Sequence, residues 1–523
     1  MKLHLKDHSS DPSFNPSLPK LAFSLLLGLS LYLFLSFFSL KSLYSPPPPL
    51  STHLTLLASA PEPSPEPTEL RHVVFGIGAA ANKWGRRKEF IKSWWRPNVT
   101  HGFVFLDRKV NLTRTEDPYK YPTLKVSEDT SRFGYSNRRG SRSAIRMTRI
   151  VSEIVRMGLE DDVRWFVMGD DDTVFFPDNL IRVLRKYDHN KMYYIGSNSE
   201  THLQNINFAY DMAFGGGGFA LSYPLALAIE KMQDGCIHRY TGLYGSDDRI
   251  QACLAELGVP LTREPGFHQC DVHGNLFGLL TAHPVAPLVT LHHLEIVDPI
   301  FPYMSRLQAL QRLKIAAKLD SESLMQQSIC YDSTRNWTVS VSWGYAVQII
   351  RGSITPREMQ RPSRTFFNWY NRDEPASFAF NTRPFSKHPC EKPFIYYLSK
   401  AAINAEINVT VSEYELYQIP HPWCWWKVEN PEKFHKVEVY KKPTDPHKWD
   451  EGPRRDCCRV MHTDKKSTVY RNGSVWQFLA AYEGERNLNC QFFKAKTLSG
   501  NSKGEIEHNE TVIHVLSDSL HYA

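Results

Sequence analysis

Two spacings of apolar residues take turns along the middle of this chain. His72-Val73-Val74-Phe75-Gly76-Ile77 and Phe103-Val104-Phe105-Leu106 are apolar runs of strand length, and residues 86–95 between them read as a helix. Ala144, Met147, Ile150, Val151, Ile154 and Val155 recur at helical spacing, which predicts one apolar stripe laid against a core. Trp165-Phe166-Val167-Met168 is the next strand. Residues 178–187 follow as a helix with Leu180, Val183, Leu184 and Tyr187 on one face, and Met192-Tyr193-Tyr194-Ile195 is strand-like again. Buried strands alternating with amphipathic helices predict an α/β fold whose mainly parallel sheet is covered by helices.

The first seventy residues follow another pattern. Leu21 to Leu40 carries no charge and sits between Lys20 and Lys41. Twenty helical residues rise about 30 Å, enough to cross a bilayer. Ala58-Ser59-Ala60 has the form of a signal-peptide cleavage site, but it lies far past the apolar run, across Pro46-Pro47-Pro48-Pro49. We therefore expect residues 1–20 as a cytoplasmic tail, 21–40 as an uncleaved transmembrane anchor and 41–70 as a Pro-rich stem. Lys2, Lys6 and Lys20 precede the run and only Lys41 follows closely, which favours a single-pass type II orientation with the remainder in the secretory lumen. The Pro, Ser and Glu of residues 45–68 suit an extended spacer.

Composition agrees with a lumenal setting. The nine cysteines all lie beyond residue 230, and sequons stand at Asn98, Asn111, Asn336, Asn408, Asn472 and Asn509. An odd cysteine count leaves at least one thiol without an internal partner, and neighbours Cys457 and Cys458 are expected to bond to different partners. The net charge of +7 is spread without basic blocks, which argues against nucleic-acid binding. Arg86-Arg87-Lys88 and Arg138-Arg139 suit a phosphorylated small molecule or plain solvated surface equally well. About 450 residues past the stem exceed one ordinary core, so two domains are expected, at 71–300 and 301–523.

Candidate chemistry is concentrated at four places. Trp165 to Met168 runs into Asp170-Asp171-Asp172, three carboxylates at the end of a buried strand. Like charges repel and burial is costly, so a cation is one resolution and an acidic turn in solvent the other; the carboxyl end of a strand is where open α/β sheets bind ligands. Gly215 to Gly218 lies between Phe214 and Phe219, where residues without side chains allow close backbone approach. Asp247-Asp248 opens a helix through Cys253, Leu254 and Leu257, and either Ser246 or Asp247 fits a helix cap as well as a functional acid. His292-His293 offers imidazoles for a metal site, though such a pair is more often structural.

In this order and spacing the motifs resemble the fringe and β-1,3-galactosyltransferase-like family of inverting nucleotide-sugar glycosyltransferases. The match is carried by Arg86/Arg87 to Trp94/Trp95, Asp170-Asp171-Asp172, Gly215 to Gly218, Asp247-Asp248 and His293-Leu294-Glu295. Pro422-Trp423-Cys424-Trp425-Trp426 and Arg454-Arg455-Asp456-Cys457-Cys458 are similar to the tail of plant fringe-like proteins of unassigned activity. The resemblance implies a GT-A, Rossmann-like lumenal domain; after it, a helical opening at Leu307, Leu310 and Leu313 and strand-like runs such as residues 338–350 lead us to expect a smaller C-terminal α+β domain. The resemblance also implies Asp172 and His293 as ligands of a divalent cation, Mn²⁺ above all. Asp170, Asp171, Arg86, Arg87, Gly216 and Gly217 would then lie around a UDP-sugar. Asp248 is the implied general base, with Asp247 in reserve. A glycan or glycoprotein is the implied acceptor, at a Golgi membrane reached through residues 21–40.

Departures from the family are confined to a few places. The glycine turn is Gly215-Gly216-Gly217-Gly218 where members often carry GGAG, and Thr290-Leu291-His292-His293-Leu294-Glu295 keeps only the second histidine of F-H-S-H-L-E. That change and the aromatic tail leave a second function open, a lumenal glycan-binding or scaffolding protein on an inactive transferase fold.

Overall fold

In the computed structural model the first predicted strand is β1 (Val73–Ala79), buried at every position, as a strand covered on both faces must be. Parallel to it run β2 (His101–Leu106), β3 (Thr123–Val126) and β4 (Trp165–Asp170). After the short β5 (Val174–Phe175), β6 (Tyr194–Gly196), β7 (Phe219–Ser222) and β8 (Leu261–Arg263) complete seven strands in the order β3-β2-β1-β4-β7-β6-β8. Only β7 opposes its neighbours, so the sheet is mainly parallel, as the apolar pattern predicts. Two small antiparallel pairs involve β9 (Val272–Gly274) and β10 (Thr290–Leu291), the latter laid on β5. The structure describes residues 29–34, 66–111, 117–159, 162–406, 408–427, 430–445, 447–450, 452, 454–462 and 511–516.

Alternation along β1 feeds two cores. Val73, Phe75 and Ile77 meet Trp84, Phe90 and Trp94 of α1 (Ala81–Trp94). On the other face Val74 meets Ile150, Val151 and Ile154 of α2 (Ser143–Val155), the predicted stripe. The helix expected at 178–187 is α3 (Pro177–Leu184), and α4 (Tyr223–Arg239) is tied to α5 (Asp247–Glu256) by the Cys236–Cys253 disulfide.

The segment expected as a smaller α+β domain is built differently. After α6 (Arg306–Leu319) come β11 (Gln327–Asp332), β12 (Trp337–Ser342) and β13 (Ala346–Arg351). The chain then leaves to lay β14 (Phe366–Asn368) on β9, and returns as β15 (Phe394–Asn404), β16 (Val409–Tyr417), β17 (Lys436–Lys441), β18 (Cys457–His462) and β19 (Thr511–Leu516). Eight of these close into a barrel in the order β11-β12-β13-β15-β16-β17-β19-β18. Closure removes the sheet edges that an open α+β layer would have to cover. Val339, Val341, Val347, Ile349, Tyr396, Tyr414, Val437 and Val439 are buried within it, and the same apolar cluster continues into the layer under α1. Cys330–Cys458 and Cys390–Cys424 are bonded; Cys457 is also in a disulfide, so the neighbouring cysteines do take different partners. Cys270 is buried and free.

Residues 1–66 are a separate unit, in which residues 29–34 are helical and Leu29, Leu31, Leu33 and Phe34 exposed. The rest of the expected 21–40 anchor lies outside the described residues, and no described helix is long and apolar enough to cross a membrane.

Candidate active site

β4 ends on Asp170 beside Gly78 of β1, so the next two acids stand beyond the carboxyl edge of the sheet. Thr173 ties this turn down: its Oγ1 accepts the Asp170 N–H at 2.8 Å and donates to the Gly216 carbonyl at 2.7 Å. Its own carbonyl takes the indole N–H of Trp94 at 3.1 Å. The acidic turn and the glycine run are thus one clamped unit, with Thr290 Oγ1 holding the Gly217 carbonyl from the other side.

The imidazole that meets the carboxylates is His292, one residue before the expected one. Its Nε2 lies 3.2 Å from Asp172 Oδ1 and 3.9 Å from Asp170 Oδ2. Nδ1 lies 3.2 Å from the Gln269 carbonyl; as its donor it fixes the tautomer and leaves Nε2 for the acids. Space for the ring comes from Gly216, where a Cβ would fall 2.1 Å from His292 Cε1. His293 turns instead toward Asp271, 3.4 Å away, and stacks on Trp369. A positive φ of 54° at His293 brings two consecutive side chains to the same side, which strand alternation does not foresee.

Asp171 is held by Arg87 at 2.7 Å. The same guanidinium lies 3.0 Å from Asp172 and bonds Glu295, which Arg86 also reaches at 2.8 Å. Arg86 and Arg87 therefore do gather at the acids, and Glu295, quoted only as part of a motif, is what positions them. Gly217 gives its N–H to Gln269, so of the two glycines assigned to the donor this one is occupied by the fold.

Electrostatics sort the acids. Burial, followed by Asp172, Asp247 and Asp171, pushes half-buried Asp170 up to about 7 against the pull of His292. Burial alone would raise Asp172 too, yet His292 and Arg87 outweigh it and hold that carboxyl well below the usual range. His292, which burial would lower, is raised to about 9 by Asp172 and Asp170. Five carboxylates (Asp170, Asp171, Asp172, Asp247, Glu295) thus face two guanidiniums and the His292 imidazole, still an excess of acid in a poorly solvated place.

The second acidic motif divides its labour. Both oxygens of Asp248 are taken by the loop before it, from Tyr244 N–H at 2.7 Å and Gly245 N–H at 2.9 Å. Asp247 instead lines, with Asp170 and Gly215, a cavity of about 30 Å³ under the acidic turn. A Cβ at residue 215 would come within 2.6 Å of its Oδ1, so the glycine run admits this side chain as well. Ser246 side-chain capping, the alternative reading of this motif, is not what forms. Burial raises both acids; the Gly215 N–H and Ser246 hydroxyl draw Asp247 back, and the Tyr244 N–H draws Asp248 back.

The residues present fit a divalent cation. Ligand atoms of Asp170, Asp172 and His292 lie within 4.8 Å of one another, a set of two carboxylates and one imidazole. Asp172 Oδ2 is buried and makes no hydrogen bond, with the Arg87 guanidinium 3.0 Å away as an ion-pair neighbour. His292 and Glu295 are the functional residues missed at this centre, although both stood in the H-H-L-E stretch.

Residues 68–291 match the Fringe-like family model, and residues 204–458 match a family described as protein of unknown function, DUF604. Residues 68–291 are a Fringe-like domain. Within it lie Asp170, Asp171, Asp172, Asp247, Asp248 and the glycine run; His292 and Glu295 fall just past the matched span. A mouse (Mus musculus) Beta-1,3-glucosyltransferase is 28% identical over 143 residues, 27% of this chain and 28% of that protein. The Xenopus laevis Beta-1,3-N-acetylglucosaminyltransferase lunatic fringe is 31% identical over 126 residues, 21% of this chain and 33% of that protein. This chain thus spans about a third or less of the length of either relative. The crystal structure of the galactosyltransferase LgtC in complex with donor and acceptor sugar analogs is 13% identical, with 46% of this chain and 92% of that chain covered. Its TM-score of 0.28 is too low to place residues.

Proposed function

We propose that this chain is a divalent-cation-dependent, inverting glycosyltransferase that moves a hexosyl group from a UDP-sugar to a hydroxyl of a glycan or glycoprotein, in a β-1,3 linkage. The observation that carries this is the meeting of Asp170, Asp172 and His292 at the sheet's carboxyl edge, with Asp247 facing the same cavity as Asp170. Names of the two relatives, both β-1,3-transferases of sugars, support the reaction class.

Asp170, Asp172 and His292 would hold the cation, most simply Mn²⁺, which takes both carboxylate oxygen and imidazole nitrogen. Bound there, it supplies neutralisation of the charge on a departing diphosphate. Asp171, locked to Arg87, keeps the guanidinium aimed across the acids. Asp247 is the base: its carboxylate takes the acceptor hydroxyl's proton while that oxygen attacks the anomeric carbon from the face opposite UDP. Burial lifts its basicity toward the working range, and Asp248, spent on two backbone N–H groups, holds the loop that carries it. The reading sets the reaction in the Golgi lumen behind an anchor at residues 21–40, supported by the uncharged apolar run, the sequons and the disulfides.

UDP release by the full chain in detergent, with Mn²⁺ and each UDP-sugar in turn, tests this. Turnover with one donor, lost in EDTA, is the expected outcome. Silence with every donor, together with no cation-dependent UDP binding by calorimetry, would hand the protein to the glycan-binding reading.

A further inference from the structure

The Fringe-like span ends before the segment that completes its centre. Residues 363–380 leave the barrel and are fastened across the site. β14 pairs with β9, Thr365 Oγ1 accepts the Gly278 N–H at 2.9 Å and donates to the Asn275 carbonyl at 2.7 Å, and Phe378 bridges to Thr201. The Ala379 N–H reaches the Glu200 carbonyl at 2.9 Å. Held between these fixings, Trp369 gives its backbone N–H to Thr201 Oγ1 at 3.1 Å.

Its indole lies in a column of rings. His292 and His293 have centroids 3.8 Å apart with their planes tilted by 31°; His293 stacks on Trp369 at 4.9 Å and 18°, and Trp369 on His273 at 5.1 Å and 20°. Gly216 closes the other end of the column against His292. The ring that faces Asp170 and Asp172 is therefore wedged from both sides. His293 cannot supply this alone, because its left-handed backbone is a conformation that non-glycine residues hold only when neighbours impose it.

We propose that Trp369 is a positioning residue of the cation centre: from the DUF604-matching region it presses His293 against His292 and so fixes the imidazole that meets the two carboxylates. The inference rests on the cation-site reading above. It makes the C-terminal region a working part of the Fringe-like site rather than an appendage.

Calorimetric titration of Mn²⁺ into the full chain, with UDP present and no acceptor, reads the effect without turnover. Trp369→Ala should weaken cation binding roughly 10–100-fold, the range found when groups that orient a metal ligand are removed. Trp369→Phe keeps a flat ring and should stay within about threefold of wild type. Wild-type affinity in Trp369→Ala overturns the proposal. Equal loss in both variants with a lowered unfolding midpoint in EDTA overturns it as well, since general packing then explains the loss; equal loss at an unchanged midpoint supports it in a form that needs the indole. Absence of cation binding in the wild-type chain would sink both the centre and its support. Normal titrations without sugar transfer would sink the transferase reading alone.

Discussion

Asp172 and Asp320 are both buried carboxylates held below their ordinary range against the cost of burial, but they keep different company. Asp320, beside the barrel, meets Lys441 at 2.8 Å and accepts hydrogen bonds from Thr444 and Ser323. The Lys441 ammonium spends its other donors on the Lys442 carbonyl and Thr444. One acid meets one base, and every group has a partner. Asp172 shares Arg87 with Asp171 and Glu295 and shares His292 with Asp170, which Asp247 in turn pushes upward. A closed pair of this kind is architecture; an excess of acid at a sheet's carboxyl edge is a place built to receive positive charge.

The sharpest way to break this comparison is at the two adjacent acids of α5. Asp247→Asn should cut transfer by about 10²–10⁴-fold, the usual value of a positioned general base, with donor binding preserved. Asp248→Asn should leave transfer within about tenfold, since its oxygens serve backbone N–H groups of the loop. Initial rates of UDP release for both variants decide it, and the reverse ranking would return the base to Asp248.

In the barrel the consequence is for stability. Lys441→Met leaves Asp320 buried without its cation and should cost about 3–5 kcal/mol in urea unfolding. Cation affinity per folded molecule should not change. If it falls with stability, the two regions are not independent in the way their charge balance indicates.

Legibility in the sequence follows the same division. The strands and helices around β1 and β4 are contiguous apolar patterns, so the mainly parallel sheet and the acidic turn at its edge are readable from local residues. His292 is displaced from the expected His293 because a single left-handed residue overrides alternation, and no spacing rule anticipates it. Trp369 and the barrel are hidden for another reason. Residues 338–350 do read as strands, but their partners include 394–404, and the barrel closes only through 457–462 and 511–516. Pairings that distant leave no periodic trace, and an α+β layer is what the local pattern suggests.

A milder probe uses acid. His283 is buried beside His268, and burial first, then that neighbour, lowers it to about 3. The folded state keeps this imidazole neutral, whereas the unfolded chain takes up its proton near pH 6.5. Stability is therefore complete above 6.5 and is lost as pH falls from there toward 3, by about 2 kcal/mol at pH 5. His283→Gln should flatten that part of the urea-midpoint profile between pH 7 and 5; an unchanged slope would assign the acid sensitivity elsewhere.

The smallest effect is the most telling, because its sign is opposite in the two regions. Asp170 is raised to about 7, so its ionised form is disfavoured in the folded state. A carboxyl raised in this way removes stability as pH climbs through its unfolded value near 4 and on to 7. Its side chain keeps about 35% of its surface, so solvent damps the penalty, and Asp170→Asn should stabilise the cation-free protein at pH 8 by only roughly 1 kcal/mol. The same substitution removes a ligand and should abolish cation-induced stabilisation, which differential scanning calorimetry with EDTA and then with Mn²⁺ separates in one protein. Breaking the barrel pair weakens the fold, while taking Asp170 from the site strengthens it and ends its function, the trade expected where charge is crowded for a ligand's sake. A loss of cation-free stability in Asp170→Asn would mean that the site's acids are balanced like those of the barrel, and the case for a cation there would fall with it.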